Sequence, residues 1–150
     1  MPFDRLIRTV DEWAYQRQRS DVFAQIGPSN YRSKIISTVQ FMEPAEFQKR
    51  MQDAQVIVAH AGMGSIIKAL EHGKPIVVMP RRGHLRETRN DHQVATAKQL
   101  ATTGRVIPAY DEEELRDRLD HLGNVQSPQR IAMHASTALI EAVRNFIENA

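Results

Sequence analysis

His60-Ala61-Gly62-Met63-Gly64-Ser65 brings a histidine, two glycines and a hydroxyl together within six residues. A short apolar, β-branched run, Val56 to Ala59, precedes them, and Ile66 to His72 follows with helical spacing. Glycines in such a turn let a ligand approach the backbone, and Gly64 with Ser65 could open and cap the helix. Free N–H groups at that end suit a diphosphate. His60, at the strand's carboxyl end, could hydrogen-bond a phosphate or a sugar hydroxyl. The same glycines would also serve as a plain tight turn. The run is no Walker loop, because no Gly-Lys-Ser/Thr follows. Nor is it the GxGxxG fingerprint, since Ile67 stands where the third glycine belongs.

Asn90-Asp91-His92-Gln93 opens the next helix. In a parallel sheet that start lies on the same edge as the glycine turn. Carboxylate and carboxamide groups there suit pairs of sugar hydroxyls, although taken alone an N-cap and a solvated first turn are the commoner explanation. Arg81, Arg82, Arg86 and Arg89 share the intervening loop with His84 and Glu87. Arg81 and Arg82 are candidate diphosphate contacts, against the commoner reading of a solvated charge run. Asp11-Glu12 and Glu112-Glu113-Glu114 read as solvated or capping carboxylates. The six histidines lack metal-ligand spacing and no cysteine supports them, so they do not form a metal set. No GxSxG elbow argues for a serine hydrolase.

These groups need a scaffold. The periodicity predicts helices over Phe3–Arg17, Pro44–Asp53, Ile66–His72, Asp91–Thr103, Glu112–Leu122 and Pro128 to about Glu148. It predicts strands over Asp21–Ile26, Ile35–Val39, Val56–Ala59, Ile76–Met79 and Val106–Ala109. Gly73 and Gly104 are placed to end helices, and Asp111 to cap one. Gly27–Lys34, Pro80–Asn90 and Gly123–Pro128 read as loose loops. Strands alternating with helices imply an α/β fold, a doubly wound, mostly parallel Rossmann-like sheet. The 150 residues suit a single domain, and the 41% hydrophobic and 25% charged composition is that of a globular protein with a core. A net charge of +2 gives no case for nucleic acid. The absence of cysteine excludes disulfides, and no run approaches the ~20 apolar residues that span a bilayer.

Val56 to Ile107, with HAGMGS, GKPIVVMPR and NDHQ before a helix ending in Gly104, resembles the C-terminal, donor-binding domain of family 28 glycosyltransferases. It looks most like the short, stand-alone members. These are the soluble subunits of two-component exopolysaccharide glycosyltransferases and of the dolichol-linked N-acetylglucosaminyltransferase. Pro2-Phe3-Asp4-Arg5-Leu6 resembles the exopolysaccharide group. The resemblance implies half of a GT-B fold that binds a UDP-sugar as a single donor domain over residues 1–150. His60, Gly62, Met63, Gly64 and Ser65 would line the diphosphate and donor, and Asp91 and Gln93 would contact sugar hydroxyls. It implies no cofactor and no metal, since helix N-termini offset the leaving diphosphate. It also implies a lipid-linked acceptor and a membrane-anchored partner subunit, and a cytoplasmic location held peripherally to the membrane by that partner.

The expected activity is hexose transfer from UDP in surface polysaccharide assembly, with His60 or a residue of the partner as general base. The rival expectations are a non-catalytic interaction subunit and a fragment related to UDP-sugar 2-epimerases. Two departures bear on this. Members begin with an apolar strand and a glycine loop before the Pro-Phe segment, which would be the central strand. Five strands are visible here and that first one is missing, as a misplaced start codon, a truncation or a degenerate gene would explain. Its loss would leave a slot and unpaired backbone on both neighbours. Lys68 stands where many relatives carry a ribose-binding glutamate.

Overall fold

The computed structural model describes residues 2–122, and the predicted last helix, Pro128 to about Glu148, lies outside them. The order is α1 (Asp4–Gln16), β1 (Phe23–Gln25), β2 (Ser37–Val39), α2 (Pro44–Asp53), β3 (Ile57–His60), α3 (Met63–Glu71), β4 (Ile76–Met79), α4 (His92–Thr102), β5 (Ile107–Pro108) and α5 (Glu112–Asp120). A short 3₁₀ turn, Gly83–Leu85, lies in the loop between β4 and α4.

Every pairing is parallel. In β4, Val77 and Met79 face a core made with Phe3, Ile7, Trp13 and Ala14 of the α1 region and Leu115 and Leu119 of α5. Ile76 and Val78 face the opposite core, made with Ile66, Ala69 and Leu70 of α3 and Ala97 and Leu100 of α4. The period-two alternation of a strand thus buries β4 on both faces, and the helices wind on both sides as the sequence implies. Gly73 and Gly104 take left-handed φ values of +66° and +71° and end α3 and α4. Asp111 caps α5, its Oδ1 accepting the Glu114 N–H at 2.8 Å.

One expectation needs correcting. The strands form two sheets, β1-β2 and β3-β4-β5, and not one. Ile57 N–H donates to Pro75 O, so residues 57 and 59 turn their backbone groups to β4 while Val58 and His60 turn theirs away. Ile26 N–H donates to Val39 O and Ser37 N–H to Val22 O, which leaves the backbone groups of Phe23 and Gln25 pointing away from β2. No ladder joins β1 to β3 among the described residues. Their apolar side chains nevertheless pack on the same core, Val22 and Ala24 from one sheet and Val56 and Val58 from the other. β3 is only half-buried at all four positions, whereas β4 is fully buried.

A second correction concerns Asp11. It is buried, not solvated. Its carboxylate accepts the N–H groups of Lys34 at 2.8 Å, Ile35 at 3.1 Å and Ile36 at 3.2 Å, and the Tyr31 hydroxyl at 2.8 Å. Burial works to raise its pKa, but the donors from Lys34, Ile35, Tyr31 and Ile36 together hold it below the usual carboxylate value. Burial and the same carboxylate push the Tyr31 phenol up to about 12. The end of the expected loose loop Gly27–Lys34 is therefore fastened to α1.

Candidate functional site

β3 and β4 end in register, His60 opposite Met79. His60, the start of α3 and the loop that begins at Pro80 therefore share the carboxyl edge of the sheet, where α/β proteins hold their ligands. Helix α3 starts at Met63 with Gly62 as its N-cap. This corrects the sequence reading, which placed Met63, Gly64 and Ser65 in the turn and gave Ser65 the cap. All three lie in the first helical turn, where N–H groups have no intrahelical partner. Gly62 is required for a steric reason. A Cβ there would fall 2.7 Å from His60 Nδ1 and 2.8 Å from Nε2, and closer still to Cε1. The imidazole edge thus lies against the N-cap. Gly64 is exposed, and a Cβ there would meet nothing within 4 Å.

Gln93, in the first turn of α4, ties the two halves of the edge together. Its Oε1 accepts Arg81 N–H at 3.0 Å, and its Nε2 lies 3.1 Å from His60 Nδ1. Burial, and after it the charge of Arg81, hold the imidazole below its usual pKa, which favours the neutral ring. Asp91 is at the N-cap position of α4 but makes no side-chain cap bond. Its Oδ1 instead accepts Gly83 N–H at 2.9 Å. Asn90 Oδ1 takes the His92 N–H at 3.0 Å.

The arginine loop is more ordered than a solvated charge run. Arg81 and Arg82 are half-buried. Arg81 Nη1 donates to Glu87 O at 3.1 Å and its guanidinium lies over the Phe3 ring, 5.0 Å from the centroid. Arg82 Nη2 donates to Tyr110 O at 2.7 Å. Glu87 is buried, and the sequence reading missed its part and that of Arg5. Arg5 Nε and Nη2 reach the two Glu87 carboxylate oxygens at 2.8 Å each, and Glu87 Oε1 also accepts Arg82 N–H at 3.0 Å. The third nitrogen of Arg5, Nη1, donates to Glu112 Oε1 at 2.7 Å, and Nη2 also reaches Pro80 O at 3.3 Å. A buried carboxylate inside an arginine-rich loop has no periodic signature. The only cue was one acid among four arginines.

The structure thus brings His60, Gly62, Arg81 and Gln93 into direct contact, and sets Met63, Gly64 and Ser65 beside them. Asp91 is held against the 3₁₀ turn, and Arg82 is drawn toward β5. Among the described residues no helix is long and apolar enough to cross a membrane.

A parallel α/β domain with a glycine N-cap and a histidine at the carboxyl edge is of the Rossmann-like class. The chain belongs to the glycosyltransferase family 28 C-terminal domain family, whose family model matches residues 2–149. It is 39% identical over 106 residues to "UDP-N-acetylglucosamine transferase subunit ALG13" of Homo sapiens, covering 67% of this chain and 9% of that protein. With the Mus musculus protein of the same name it shares 30% over 80 residues, 53% of this chain and 6% of that one. The chain therefore spans under a tenth of either relative. Among solved structures it is similar to the "glycotransferase of kitacinnamycin", with a TM-score of 0.56 and 20% identity over 96% of this chain and 35% of the other. That likeness shows the fold.

Proposed function

We propose that this chain is the donor-binding subunit of a glycosyltransferase, using a UDP-sugar. The observation that carries the reading is the meeting of His60, the Gly62 N-cap of α3 and the Gln93–Arg81 bridge on one sheet edge. A diphosphate placed at that N-terminus would accept from the free amides of the first turn and from the histidine. The half-dipole of α3 offsets its charge, and no metal is needed for that. Arg81 lies close enough to add to the positive field. Asp91 would face sugar hydroxyls with the carboxylate oxygen that Gly83 does not use.

In this reading the sugar is a hexose, the acceptor is lipid-linked, and the product enters surface polysaccharide assembly at the cytoplasmic face. A membrane-anchored partner would bring the acceptor and close the cleft. The relatives' printed name, a transferase subunit, supports a divided enzyme. The test is calorimetric titration of the folded chain with UDP. Saturable binding that is lost in Gly64→Asp is the expected result. No binding by a chain shown to be folded would overturn the assignment.

A second reading is a non-catalytic subunit that stabilises a membrane glycosyltransferase. The edges of β1 and β3 that pair with no strand among the described residues, and Lys68 on α3, favour it. A partner complex that keeps full activity after His60→Ala and Gln93→Ala together would establish this alternative.

A further inference from the structure

We infer that Gln93 is a positioning residue that fixes the tautomer of His60, so that the ring offers Nε2–H as a donor and has no free lone pair with which to act as a base. The argument starts at Arg81 N, a backbone amide that can only donate. The Gln93 atom 3.0 Å from it must therefore be the carbonyl oxygen. The carboxamide is planar, so its NH₂ is the end that lies 3.1 Å from His60 Nδ1. An NH₂ group has hydrogens to give and no usable lone pair. Nδ1 must then accept, and a neutral ring with an accepting Nδ1 carries its proton on Nε2. A protonated ring would set Nδ1–H against NH₂, donor facing donor.

The anchor of this relay is fixed in turn. Glu87 holds Arg82 N–H through its carboxylate and the Arg81 side chain through its carbonyl, so the Arg81 amide cannot easily rotate away. The ring edge from Nδ1 through Cε1 to Nε2 lies against Gly62, the N-cap of α3. The ring therefore adds one donor to a helix end already rich in donors. This rests on the donor-site reading for its functional half only. Of the two roles open to His60 in the sequence, hydrogen bonding to an oxygen of the ligand stays and proton abstraction goes. Gln93, with each end of its amide engaged, acts on the ligand through His60.

The test is ¹⁵N NMR of the histidine side chains in the full 150-residue chain, near neutral pH and without ligand, with His60 assigned by its loss in His60→Gln. The expected spectrum has an unprotonated Nδ1 and a protonated Nε2. Gln93→Glu places a carboxylate oxygen against Nδ1 and is expected to move the proton to Nδ1 or to charge the ring. Gln93→Leu is expected to release a tautomer mixture. A protonated Nδ1 in the unaltered chain overturns the inference, and this measurement needs no variant to fold. An unchanged His60 pattern in both folded variants overturns it as well. Titration with UDP separates the two claims. At least a tenfold weaker affinity in Gln93→Glu is expected from losing a donor to a charged oxygen. Equal affinity removes the positioning role. If the unaltered chain shows the fixed tautomer but no UDP binding, the donor-site reading fails while the tautomer lock stands.

Discussion

Arg5 and Glu87, 82 residues apart in sequence, form a two-pronged ion pair, Nε to Oε2 and Nη2 to Oε1, at 2.8 Å each. Both side chains are largely shielded, at 14% and 10% exposure. The pair joins the first turn of α1 to the loop that presents Arg81. Burial works to raise the Glu87 pKa, but Arg5 and the Arg82 amide hold it below the ordinary carboxylate value.

Removing one member strands the other. Arg5→Ala leaves the Glu87 carboxylate buried without its cation, and we expect a loss of about 3 kcal/mol in denaturant unfolding. Arg5→Lys should recover little, since an ammonium cannot match the fork geometry. Stability within about 0.5 kcal/mol of the parent after Arg5→Ala would show the pair to be dispensable.

Asp11 gives the pH prediction. A carboxylate whose folded pKa lies below its unfolded value stabilises the protein fully above the unfolded value, 3.8 here, and that contribution is lost as pH falls through the folded pKa. Asp11→Ala should cost about 3 kcal/mol at neutral pH, because three backbone amides lose their acceptor. The difference between the parent and the variant should shrink as the pH is lowered below the ordinary carboxylate range. Thermal melts across that range check both the size and the sign.

Two neighbouring glycines should respond in opposite ways. Gly62→Ala forces the His60 ring aside and should weaken UDP binding at least tenfold, with little change in secondary structure. Gly64→Ala meets open space and should stabilise α3 by about 0.5 kcal/mol while leaving UDP affinity near that of the parent.

Gly64→Asp separates stability from binding. A carboxylate in the first turn favours the helix dipole by about 0.5 kcal/mol, so the melting temperature should hold or rise. It also adds negative charge where the diphosphate would sit, so UDP binding should disappear. A variant that melts as the parent does and still binds UDP would move the phosphate site elsewhere on the chain.

Much of this architecture was legible because it is local. Pro44–Asp53 and Ile76–Met79 match the predicted bounds, since a proline at the first helical position and a β-branched run between a glycine turn and a proline are both short-range signals. The start of α3 was misplaced by three residues because Gly64 argues for a turn, while the unhindered position it occupies tolerates helix. The union of His60 with Gln93 was legible only as a shared edge. Their contact depends on Arg81 N–H lying at the third corner, which no spacing rule encodes. Asp11 was read as solvated or capping, and Glu87 only as part of a solvated charge run, because charged residues are usually at the surface. What buries them is a set of donors gathered from distant parts of the chain.

The division of the strands into two sheets has a consequence for how the molecule opens. Among the described residues β1 and β2 share no ladder with β3, β4 and β5, so the two groups are coupled there through the shared apolar core and the Asp11 anchor. The β1–β2 ribbon is then a separate cooperative unit of lower stability. Its amides should exchange with solvent through partial openings that leave β3, β4 and the His60 edge intact. The β1–β2 ribbon can thus open while the edge that holds His60 keeps its geometry.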